Sequence, residues 1–176
     1  LGFHAAILLT LAIARPNIPI SILFQSKNPK WILASALLGG LSGVGLYFLW
    51  DMFGIASDLP AQLQSIGLTP ASWIVFIAYF TIANPFIEEY FWRAHLGSEV
   101  KGLHLGDFVF AGYHAIILLD KVRLPAIAFA LTCLILIGWF WRQTRREDEG
   151  LLAAALGHMT ADFMILACVM FKVGAG

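Results

Sequence analysis

Residues 31–50 read WILASALLGGLSGVGLYFLW, twenty positions without a charged side chain, closed at each end by a tryptophan. At about 1.5 Å per residue, a helix of this length matches the roughly 30 Å hydrocarbon core of a bilayer, and it has no polar face to offer water. Indole prefers the headgroup level, so Trp31 and Trp50 mark the two ends of a crossing. Ser35, Gly39 and Gly43 recur every four residues within it, the spacing by which membrane helices let their backbones approach. No Lys-Ser/Thr follows the Gly-rich run 39–45 and no strand precedes it, so the run reads as a packing face and not as a phosphate loop.

Working outward from this segment, five more uncharged runs appear: Leu1 to Ala14, Ala71 to Ile87, Phe108 to Leu119, Leu124 to Trp141 and Leu151 to Phe171. The chain of 176 residues is 60% hydrophobic and 12% charged, where a soluble domain has about 45–50% and about 25%. These features predict an all-α, polytopic transmembrane helical bundle of about six spans in a single integral membrane domain over residues 1–176. The other tryptophans fit span ends: Trp73 opens the third run, Trp92 lies near its far end, and Trp139 with Trp141 closes the fifth. The first run lacks an initiator Met, as expected if the numbering begins inside a longer chain. It also lacks a basic n-region and a cleavage site, so it reads as a mature span and not a signal peptide. The fourth run covers only about 18 Å at 1.5 Å per residue, and a re-entrant segment there would move 142–149 to the other side.

Charge sets orientation. With the N-terminus outside, Arg15, Lys27, Lys30, Arg93, Lys101, Arg142, Arg145 and Arg146 fall on the inner side, eight of the eleven Lys and Arg, against Lys121, Arg123 and Lys172 outside. Eleven acidic residues balance the eleven basic ones, so no charge excess points to nucleic acid. Cys133 and Cys168, the only cysteines, sit in apolar runs and cannot make a disulfide framework or a four-thiolate metal site. The lipid bilayer is the expected partner, and the location is integral to a membrane.

Ionisable groups inside spans cost at least about 2.5–3.5 kcal/mol each, so each needs a reason. Here they cluster in Asn84-Pro85-Phe86-Ile87-Glu88-Glu89-Tyr90-Phe91-Trp92-Arg93, at His114, and at His158 with Asp162. Glu89 and Arg93, Phe110 and His114, and His158 and Asp162 are i,i+4 pairs, each on one helix face. His114 stands seven residues after Asp107 and His158 seven after Leu151, about 10.5 Å below the inner surface at 1.5 Å per residue. If the third helix runs on to about His95, Glu88 reaches the same level. Pro85 removes a backbone hydrogen bond three positions before Glu88 and can loosen the helix there to admit water.

The order Glu88-Glu89-x-x-x-Arg93, Phe110-x-x-x-His114, His158-x-x-x-Asp162 resembles the CPBP family, the CAAX prenyl endopeptidases and bacteriocin-processing intramembrane proteases, over roughly Ala71 to Val173. The resemblance implies an intramembrane endopeptidase with its catalytic core in 71–173, open to the cytoplasmic side. In it, Glu88 and His114 activate a water, and His158 with residue 162 stabilises the tetrahedral oxyanion. A Glu-His couple suits this work, since it can take a proton and return it near neutral pH. Glu89, paired with Arg93, is assigned a supporting role, and Phe110 a packing role that shapes the pocket under His114. Asp162 departs from the Asn of the prenyl-protein members; an ionised Asp cannot donate to an oxyanion, so orientation of His158 is the expected role. The implied substrates are peptides or proteins, including membrane-anchored ones, and the short chain looks like a prokaryotic plasma-membrane member.

Glu88, His114 and His158 also match the ligand count of a catalytic zinc site. The sequence lacks His-Glu-x-x-His, and the resemblance favours chemistry without a metal or other cofactor. Two non-enzymatic readings remain: a scaffold or immunity protein that keeps the fold, and a proton-coupled carrier, which would show the inverted repeats and broken helices that this chain lacks. His4, His95 and His104 read as interfacial residues without a role, Asp107 among others as a boundary residue, and Arg142 to Glu149 as a solvated, topology-setting loop.

Overall fold

The computed structural model describes residues 2–174, so Leu1, where the first run begins, and residues 175–176 lie outside the described residues. Among the described residues seven α-helices follow one another: α1 (Gly2–Ala14), α2 (Pro29–Phe53), α3 (Leu59–Ser65), α4 (Trp73–Glu89), α5 (Leu105–Leu118), α6 (Leu124–Asp148) and α7 (Leu152–Gly174). A 3-10 turn at Ile20–Phe24 separates α1 from α2, and α4 continues as a π-turn over Tyr90–His95. The six uncharged runs fall on α1, α2, α4, α5, α6 and α7. Four segments, Pro29–Phe53, Trp73–His95, Leu124–Asp148 and Leu152–Gly174, are long and apolar enough to cross a membrane, while α1 and α5 are shorter apolar helices. The sequence reading had no helix at α3, which lies in the connection after α2.

Local chemistry sets the boundaries. Asn28 caps α2 by accepting from the Lys30 amide, with Pro29 in the first turn. Gly54 ends the helix at φ 55°, a left-handed conformation that glycine takes without strain. His104 opens α5 with a capping box: its ring accepts from Gly106 N while Asp107 accepts from the His104 amide. Pro85 stays inside α4, which does not break there. A proline ring frees the carbonyl four residues earlier, here that of Thr81, a turn before Pro85. The departure from α geometry comes instead after Glu89, in the π-turn.

Ser35, Gly39 and Gly43 are buried, and they let α2 lie directly on α7, as their spacing predicts. A methyl group added at Gly39 would collide with the carbonyl oxygen of Gly157, and one at Gly43 with the backbone of Met164. The outer surface is apolar, with Phe48, Ile74 and Leu124 all more than two-thirds exposed, while the charged side chains of α4 are buried. This inverted distribution belongs to a protein whose solvent is lipid.

The connections gather in two groups. At one end Ala56 N bonds Lys121 O and Arg123 N bonds Phe53 O, tying the segment after α2 to the turn between α5 and α6. At the other, Leu151 N and Leu152 N bond the carbonyls of Ile22 and Gln25, and Trp139 Nε1 donates to Lys101 O. The Arg142 to Glu149 reading requires correction here. The segment is not a loop: α6 stays helical to Asp148, and Arg142, Thr144 and Asp148 are buried. Arg142 grips Asp107 through Nε at 3.0 Å and Nη2 at 2.8 Å, so Asp107 is a buried ion-pair partner as well as a cap. Asp148 accepts from the amides of Lys27 at 2.8 Å and Asn28 at 2.7 Å. Both charges looked solvated because their partners lie 35 and more than a hundred residues away.

Candidate active site

Glu88 and Glu89 close α4, and Arg93 sits in the π-turn that follows; all three side chains are buried. Adjacent helical positions point about 100° apart, so the two carboxylates leave the helix in different directions and meet different partners. Glu88 receives the Tyr113 hydroxyl from α5, 2.7 Å from each carboxylate oxygen. Glu89 faces Arg93, whose Nε lies 3.3 Å from Oε2, and α7, where His158 Nδ1 stands 2.9 Å from Oε1.

Phe110 is 1% exposed and lies at the meeting point of the three motifs. The Arg93 guanidinium packs on its ring at 3.9 Å, and its centroid is 5.2 Å from the His114 ring and 6.3 Å from the His158 ring, both edge-on. His114 Nδ1 lies 2.9 Å from the carbonyl of Phe110. A carbonyl can only accept, so Nδ1 carries the proton and Nε2 of the neutral ring presents a lone pair. Trp141 of α6 stacks on His158 with centroids 5.1 Å apart and planes at 21°. It is a wall of this cluster and not the interfacial residue its place near a span end suggests.

Asp162, one turn beyond His158, keeps a partly exposed side chain; its Oδ1 stands 3.6 Å from His158 Nε2, outside hydrogen-bond range. Its Oδ2 accepts from Asn84 Nδ2 at 2.8 Å. Asn84 Oδ1 in turn lies 2.6 Å from Nε2 of His4, whose Nδ1 lies 2.7 Å from the Tyr79 hydroxyl. His4 is 4% exposed and doubly bonded, so the interfacial reading of this residue is also corrected.

The structure thus brings Glu88, Glu89, Arg93, Phe110, His114, His158 and Asp162 into one polar cluster between α4, α5 and α7. Among the described residues Glu88 and His114 share no direct hydrogen bond, and the hydrogen bond that orients His158 comes from Glu89, with Asp162 farther off. Four participants escaped the sequence reading. Tyr113 and Trp141 looked like ordinary aromatics of apolar runs, Asn84 carried no motif of its own, and His4 lies 80 positions from its amide partner. Among the described residues no three His, Cys, Asp or Glu side chains are arranged to hold a metal ion.

The family model described as "Type II CAAX prenyl endopeptidase Rce1-like" matches residues 70–164, a stretch that holds all three motifs. Neither the curated proteins nor the solved structures give a significant match.

Proposed function

Because the chain belongs to the Rce1-like family of type II CAAX prenyl endopeptidases, we propose that it hydrolyses peptide bonds of membrane-associated or peptide substrates with a water activated by Glu88 and His114. The observation that carries this reading is the convergence of the three motifs on Phe110, which puts the Arg93 guanidinium and two imidazoles around one ring, with the buried Glu88 carboxylate held by Tyr113 beside it.

In this mechanism the water gives its proton to the Glu88 and His114 pair, His114 receiving at Nε2, the nitrogen its bond to Phe110 leaves unprotonated. The water oxygen bonds to the scissile carbonyl carbon, and negative charge develops on the carbonyl oxygen. His158, fixed at Nδ1 by Glu89, turns Nε2 toward that charge and donates to it when it carries a second proton. Asp162 Oδ1 faces the same nitrogen at 3.6 Å. Collapse of the intermediate breaks the C–N bond, and the proton first taken from water goes to the leaving amine. Tyr113 holds the Glu88 carboxylate in place, and Arg93 neutralises Glu89 so that two adjacent buried carboxylates can coexist. No step draws on a metal or cofactor.

The same proposal takes α1 and α5 as crossing helices, making six spans in one domain with 71–173 as the catalytic core. It places the N-terminus outside, so that the end holding 15–28, 96–104 and 142–151 faces the cytoplasm of a prokaryotic cell.

The test uses purified protein in proteoliposomes with internally quenched peptides, with and without a prenylated CAAX cysteine. Glu88→Gln keeps the shape and removes the base, so turnover should fall about 10²–10⁴-fold, while dialysis of the wild type against a strong chelator should leave it intact. Wild-type turnover by Glu88→Gln at equal protein level would overturn this mechanism.

A further inference from the structure

His4 lies on α1, outside the matched stretch 70–164, and yet it is buried against α4. A buried imidazole needs partners for both nitrogens, and His4 has them: Tyr79 Oη at 2.7 Å from Nδ1 and Asn84 Oδ1 at 2.6 Å from Nε2. An amide oxygen has no proton to give, so Nε2 donates, and Nδ1 of the neutral ring accepts from the tyrosine. The orientation of the Asn84 amide is set on its other side by Asp162, whose carboxylate only accepts. A flipped amide would set its oxygen against the Asp162 carboxylate, a repulsive contact in a buried site that neither tautomer of His4 relieves. With the observed orientation, Asn84 Nδ2 donates to Asp162 Oδ2 at 2.8 Å, and the other oxygen of Asp162, Oδ1, is left facing His158 Nε2 at 3.6 Å.

We infer that His4 is a positioning residue for the reaction: through Asn84 it holds the Asp162 carboxylate at a set distance from His158. The inference rests on the protease reading above. Without His4 the Asn84 amide keeps only its bond to Asp162, and the two can shift together, so that Asp162 either closes on His158 Nε2, occupying the nitrogen that faces the oxyanion, or swings away from it. The same turn of α1 reaches the other carboxylate as well, since Phe3 stacks on Tyr113 with centroids 4.7 Å apart and planes at 26°. An element outside the matched stretch thus touches the supports of both Glu88 and Asp162.

The experiment is a set of variants of the full chain in the proteoliposome assay with the same quenched peptides, scored as kcat and KM. His4→Ala should lower kcat about tenfold, the loss of one hydrogen bond in a charged network, with KM within about twofold. His4→Gln, whose side-chain amide can donate to Asn84 Oδ1, should recover most of that loss. In an Asp162→Ala background His4→Ala should have no further effect on kcat. A residue that only glues α1 to α4 would give the same fold loss in both backgrounds and no rescue by Gln, and either result overturns the inference, as does an unchanged kcat for His4→Ala. Failure of the protease reading shows itself separately, as wild-type turnover by Glu88→Gln, and it would take this inference down with it.

Discussion

Glu89 and His158, 69 positions apart in the chain, meet at 2.9 Å inside the bundle, and this contact is what orients the imidazole of the third motif. Glu89 therefore has two tasks, since the same carboxylate carries the Arg93 ion pair through its other oxygen.

Removing that charge should cost both stability and turnover. In Glu89→Gln the buried guanidinium of Arg93 loses its counter-ion, and breaking a buried pair from one side typically destabilises by about 3–5 kcal/mol. Thermal unfolding in detergent should show a large drop in midpoint. Turnover per folded molecule should fall as well, because a neutral amide holds His158 Nδ1 less firmly. An unfolding midpoint equal to that of the wild type would mean that the pair is not formed in the membrane.

Tyr113 tests the support of Glu88. Tyr113→Phe keeps the ring stacked on Trp92, with centroids 5.9 Å apart and planes at 3°, and deletes only the hydroxyl. A hydrogen bond to a charged group contributes about 1.5–3 kcal/mol, so kcat should fall about ten- to a hundredfold. KM should stay near the wild-type value, because the hydroxyl contacts the proposed base and not a substrate pocket. Steady-state kinetics on the quenched peptides decides it, and an unchanged kcat would remove Tyr113 from the mechanism.

Two neighbouring glycines of α2 should behave oppositely. Gly39→Ala forces a methyl group into the Gly157 backbone on α7, whereas the Gly40 Cβ direction is open for at least 4 Å. Overpacking of this kind costs about 1–3 kcal/mol, so Gly39→Ala should unfold at lower temperature in detergent. Gly40→Ala should match or exceed the wild type, since alanine favours the helix. Equal midpoints would argue against direct contact between α2 and α7.

Topology can be read with an impermeant thiol reagent in intact cells. In a background lacking Cys133 and Cys168, Ser65→Cys should be labelled from outside and Glu147→Cys only after the membrane is opened; both positions are exposed. Labelling of both from one side would break the six-span arrangement.

What the sequence made legible was whatever depends on near neighbours along the chain. Uncharged runs marked the helices, and the four-residue repeat of Ser35, Gly39 and Gly43 marked the face of α2 that meets α7. The i,i+4 pairs of the three motifs likewise named residues that the fold gathers around Phe110. What escaped was set by partners distant in sequence. Arg142 and Asp148 look like loop charges until Asp107 and the 27–28 backbone arrive to meet them. His4 looks interfacial until α1 docks beside Asn84. The π-turn at Tyr90–His95 has no local signature, because its residues would suit an α-helix equally well.

The glycine seam between α2 and α7 also limits how a lipid-embedded substrate could reach Glu88. Two backbones in direct contact have no side chains that can rotate aside, so that flank of the bundle is a closed wall. On the side of α1 and α5 the contact is made by side chains, Phe3 stacked on Tyr113 with centroids 4.7 Å apart. Rotamer changes can part such contacts, and α1 and α5 are the shortest of the apolar helices. A lipid-embedded substrate of the proposed reaction would therefore find a side able to yield at Phe3 and Tyr113, and none at the glycine seam.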